Sequence, residues 1–175
     1  MGRASVKEDK CIYQTTREAM CDEKGKPWSR EKAAAQIAEI ENGRYYYLNE
    51  YRIQKIEDDP DKIQPDEVVA LSKVYNKPEL RNHYCCHQCP IGKIDTPNVI
   101  YKDNIHEILV HLAVSLESIN DKKQHLMKIL SDGKIDSPEA AEFQKILEEL
   151  EQVSMTIEAI QLWTEKNEAF GNAQK

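Results

Sequence analysis

Residues 49–59 read NEYRIQKIEDD, and whether this stretch is a helix decides how the rest of the chain is read. Asn49 is a good N-cap, since its side-chain oxygen can accept from the open N–H groups of a first turn. Leu48, Ile53 and Ile56 fall inward at helical spacing, while Glu50, Arg52, Gln54 and Lys55 point elsewhere. The stretch therefore predicts a short amphipathic helix with a charged outer face, ended by Asp58, Asp59, Pro60 and Asp61.

Working upstream, Ser29 predicts the N-cap of a helix over residues 30–40, where Ala33, Ala34, Ile37 and Ile40 form a narrow apolar stripe. A helix over residues 12–20 precedes it, with Ile12, Thr16, Ala19 and Met20 expected inward. Asn42-Gly43 interrupts the chain before Arg44 and the tyrosines Tyr45, Tyr46 and Tyr47. Downstream, Pro65 or Asp66 opens a fourth helix with Val68, Leu71, Val74 and Tyr75 inward and Asn76 as its stop. Pro78, as the first helical residue, starts a fifth. Residues 1–89 thus form one expected domain of small helices, and residues 90–100, with two prolines, a connection.

Residues 101–175 read differently. Apolar residues recur at three-four spacing over 102–130 (Ile105, Ile108, Leu112, Ile119) and again over 138–169 (Ile146, Leu150, Val153, Ile157, Ile160). Gly133 and the Ser137-Pro138 start lie in the short link between them, so the two segments predict an antiparallel hairpin with arms of around 40 Å. A hairpin so long has a face left over, and a homodimer through it is the expected use of that face. The fold class expected is all-α: a five-helix bundle followed by a helical hairpin.

Composition agrees, because 31% charged residues with only 6 Gly and 7 Pro leave too few turns for a many-stranded protein. No apolar run approaches the roughly 20 residues of a membrane span, and the polar start lacks a signal-like apolar stretch; a cytoplasmic protein is expected. Five cysteines, an odd number, point to free thiols. The net charge of -7 divides into -1 for residues 1–100 and -6 for residues 101–175. Residues 24–55 run against this trend, with seven bases and four acids, a surplus compatible with a phosphate-facing surface.

Several segments in order carry a family likeness. WSREKAAAQI, LNEYRIQKIED and PDEVVALSKVY resemble the second, recognition and fourth helices of the lambda-repressor-like helix-turn-helix domain, the xenobiotic-response-element type of bacterial transcriptional regulator, over residues 12–75. Leu48, Ile53, Ile56 and Glu57 match the recognition helix's fixed positions. The resemblance implies double-stranded DNA as partner, with Ser29 and Arg30 on phosphate and Asn49, Glu50, Arg52 and Lys55 facing the groove. Arg52 suits guanine O6 and N7, Lys55 a phosphate, and Arg44 with Tyr45 the sugar-phosphate chain. Two departures stand out: residues 38–47 insert about eight residues between the second and third helices, and the turn after the third is long and acidic. Two alternatives stay open. Arg52 and Lys55 form a solvated face paired with Glu50 and Glu57, or the chain is an interaction module that works through its hairpin.

Other constellations are weaker. His83, Cys85, Cys86, His87 and Cys89 are metal-ligand types at close spacing, but a structural zinc takes two separated pairs, and Cys11 and Cys21 lie on a distant segment. Small buried hydrophobes are the expected reading, with no metal and no cofactor. Neither a phosphate-cradling glycine loop nor a nucleophile elbow nor paired catalytic carboxylates occur, so no enzyme is expected.

Overall fold

Side chains that close on the backbone set the helix starts in the computed structural model, which describes residues 10–99, 101–129 and 135–172. Ser29 Oγ accepts from the Lys32 N–H at 3.1 Å and opens α2 (Arg30–Glu39); Asn49 Oδ1 accepts from the Arg52 N–H at 3.0 Å and opens α3 (Glu50–Asp58). Helix α1 spans Ile12–Ala19. In α4 (Pro65–Val74) Pro65 is the first helical residue, and the Glu67 carboxylate accepts from the Gln64 N–H at 2.8 Å. Asn76, at φ 49, ends it. Pro78 caps α5 (Glu79–His87) from just outside, and α6 (Gly92–Asp95) is a single turn. The fold is all-α, and no strand occurs among the described residues beyond the isolated Cys21–Pro27 bridge.

The chain divides into two compact units, Met1–Ile94 and Asp95–Lys175. The core of the first gathers Tyr13, Ala33, Ile37, Tyr45, Leu48, Ile53, Ile56, Val68, Leu71, Tyr75 and Leu80. The inward edges expected of α2, α3 and α4 are there. That of α1 is corrected in part: Ile12 and Met20 pack half-buried against the core, but the fully buried positions are Tyr13 and Arg17, and Ala19 is exposed. The reason is electrostatic, since the partner of the Arg17 guanidinium lies inside. Between α2 and α3, residues Ile40–Gly43 make a 3-10 turn, and Gly43 at φ 81 supplies the reversal that a side chain would oppose.

The second unit is the hairpin of α7 (Ile105–Ile129) and α8 (Ser137–Asn172). At 1.5 Å per residue its 25 and 36 residues make arms of roughly 37 and 54 Å. Cross-pairs establish the antiparallel order: the Trp163 indole N–H donates to the Asp103 carbonyl at 2.9 Å, and Ser118 Oγ to Glu149 at 3.0 Å. Ile108, Ile129, Ile146, Ala159 and Leu162 are buried in this unit. The link at residues 130–134 lies outside the described residues. None of the described helices is long and apolar enough to cross a membrane.

Candidate nucleic-acid interface

Helices α2 and α3 are joined by charge as well as by packing. The Glu57 carboxylate, with 1% of its side chain exposed, accepts from Arg17 Nε at 2.6 Å and from Arg30 Nε at 2.7 Å. One acid therefore ties α1, α2 and α3 together, and a buried ion of this kind persists only because it is paired and hydrogen-bonded. Burial works against the Arg17 charge, yet the bond to Glu57 and its negative charge hold the guanidinium above its ordinary pKa.

The residues expected to meet DNA separate into three groups. Ser29 and Asn49 are exposed helix caps, with their side-chain oxygens already holding backbone N–H groups. Arg30 is half-buried on Glu57, and Tyr45 is a core residue at 3% exposure. Tyr45 is thus a correction: of the three successive tyrosines, the chain turns this one inward beside Leu48. Tyr47 donates its hydroxyl to Asp66, and Tyr46 stays 79% exposed. Arg44 and Glu50 lie at the surface, the Arg44 guanidinium 5.6 Å from the centre of the Tyr45 ring.

Arg52 departs furthest from expectation. Its Nε and Nη2 each meet an oxygen of Glu67 at 2.6 Å, and Nη2 also donates to the Lys62 carbonyl at 2.9 Å. The planar fork that suits guanine O6 and N7 suits a carboxylate equally well, and a carboxylate is present. Arg52 therefore anchors α3 to α4, its charge held chiefly by the bond to Glu67. Its partner is neither Glu50 nor Glu57 but an acid fifteen residues on.

What remains on the outer edge of α3 is Tyr51, Gln54, Lys55 and Asp58, all exposed. The Lys55 ammonium lies 4.5 Å from the centre of the Tyr51 ring, which is 65% exposed. Tyr51 is not among the residues that the sequence pattern assigns to DNA. The signal was its spacing of four from Lys55, opposite Ile53 and Ile56. In the acidic turn, Asp59 is paired with Lys62 at 2.6 Å.

The His83–Cys89 segment occupies α5 and its end. The His83 and His87 rings stack with centroids 4.4 Å apart, and burial, then the neighbouring His87, lowers the His83 pKa. Cys85, Cys86 and Cys89 are in no disulfide and are half-buried rather than fully buried; Cys89 Sγ accepts from the Gly92 N–H at 3.4 Å. Among the described residues no three His, Cys, Asp or Glu side chains converge as a metal site.

Compared with known proteins, the chain matches no family model, no curated protein and no solved structure.

Proposed function

We propose that the chain is a DNA-binding transcriptional regulator of the helix-turn-helix type, acting in the cytoplasm as a homodimer, with α3 in the major groove. The observation that carries this reading is the locked α2–α3 pair. Both helices start on side-chain caps, Glu57 fastens one to the other through Arg30, and the outer edge of α3 carries Tyr51, Gln54 and Lys55, with Asp58 at its last turn. A Gln amide can pair with adenine N6 and N7, and a lysine with phosphate. Ser29 and Arg44, both exposed, serve in this reading as contacts to the DNA backbone, and Glu50 is left only the cytosine amino group. Arg52 belongs to the scaffold of the reading helix rather than to its reading edge. Two copies are needed because half-sites lie one DNA turn apart, roughly 34 Å. The reading includes no catalytic step.

Fluorescence anisotropy on a mixed-sequence duplex, titrated at several salt concentrations, tests it. The expected result is binding that weakens steeply with salt, with a slope reduced by about one in Lys55→Ala. A flat titration at low salt sinks the reading. A second reading, an interaction module that takes a protein partner on the hairpin, is favoured by apolar side chains left open there. Leu109 and Leu116 on α7 and Leu150 and Ile157 on α8 are 41–49% exposed.

A further inference from the structure

The hairpin unit contains a cleft of about 230 Å³, which the reading of α3 does not use. Its apolar lining comes from Ile108 on α7 and Met155 and Ala159 on α8. Its polar lining comes from Lys102, from His111 and Ser115 one and two turns beyond Ile108 on α7, and from Gln152 and Thr156 on α8. Among these polar groups, the Lys102 ammonium lies 3.3 Å from His111 Nε2 and forms an ion pair with Glu107, whose carboxylate is 4.0 Å from the same imidazole nitrogen. A carboxylate thus already sits against the lysine and near the histidine, but it belongs to an exposed side chain of the protein. An exposed ion pair is worth little, so an external acid that also covers the apolar side chains of the cleft can displace it. A volume below the roughly 300–1,000 Å³ of drug-sized sites calls for a small molecule.

We propose that this cleft binds a short-chain monocarboxylic acid, its carboxylate replacing Glu107 on Lys102 and its alkyl tail lying between Ile108, Met155 and Ala159. Ser115 supplies a hydroxyl for the second carboxylate oxygen. The site lies within the hairpin unit and does not depend on whether the first unit contacts DNA.

The experiment is an NMR titration of the full chain with hexanoate, and with hexanamide as the uncharged match, up to about 10 mM, following the amides of Ser115 and Thr156. Hexanoate is expected to shift both and hexanamide neither. Glu107→Gln, which removes the internal competitor, is expected to bind hexanoate about threefold more tightly, and Lys102→Met about tenfold more weakly. The tighter binding of Glu107→Gln is the diagnostic result, because damage to the fold would weaken binding instead. Equal response to acid and amide, no response to hexanoate, or a Glu107→Gln variant that binds no better overturns the proposal.

Discussion

Glu57 holds two guanidinium groups from two other helices, and its neighbours decide what its loss does. Glu57→Ala leaves the Arg17 charge inside the first unit without its carboxylate, and removing one partner of a buried pair costs about 3–5 kcal/mol. Urea denaturation followed by circular dichroism should show that loss at unchanged slope. Arg52→Ala strands Glu67, 3% exposed at its side chain, with the Gln64 N–H as its remaining partner. A cost of about 2 kcal/mol is expected by the same measurement, while the salt slope of duplex binding stays as in the parent chain. A fall in that slope instead would return Arg52 to the DNA surface. Neither pair was legible in sequence. Hydropathy places Arg17, Glu57 and Glu67 outward, and the partners lie 40 and 15 residues apart, beyond any local periodicity.

Helices were more legible than side-chain roles, because a helix start is a local event. Ser29 and Asn49 act on N–H groups three residues on, so the starts of α2 and α3 could be read directly. The inward edge of α1 could not, since it depends on an acid in α3. Nor could the return of the chain after α5. A Cβ on Gly92 would stand 2.4 Å from the Cys85 carbonyl oxygen, so α6 packs against α5 backbone to backbone. Gly92→Ala must push that turn away, as backbone cannot yield as a flexible side chain would. We expect a loss of about 2 kcal/mol in thermal or urea unfolding, with the α1–α3 ion pairs undisturbed. An unchanged unfolding curve would mean that α6 contributes nothing to the first unit.

Two separately packed units account for the charge division along the chain, because the acidic excess belongs to the hairpin. All-α architecture was legible from periodicity and from the scarcity of glycine and proline. What covers a helical face was not, since an apolar edge does not name its partner. In the antiparallel order set by Ser118 and Glu149, Leu116 comes level with Leu150 and Leu109 with Ile157, two rungs seven residues apart on each helix. Leu116→Glu with Leu150→Glu should therefore convert a dimer to a monomer in analytical ultracentrifugation while helicity stays unchanged; a parent chain that already sediments as a monomer removes the hairpin contact. The chain's two tryptophans divide between the units. Trp28 stands edge-on to Tyr75 at 6.3 Å with the Lys32 ammonium over it, and Trp163 donates its indole N–H to a backbone carbonyl. Each unit thus carries its own optical reporter, so Trp28→Phe leaves a tryptophan emission, excited beyond the tyrosine band, that belongs to the hairpin alone, and melting of either unit can be watched while the other is intact.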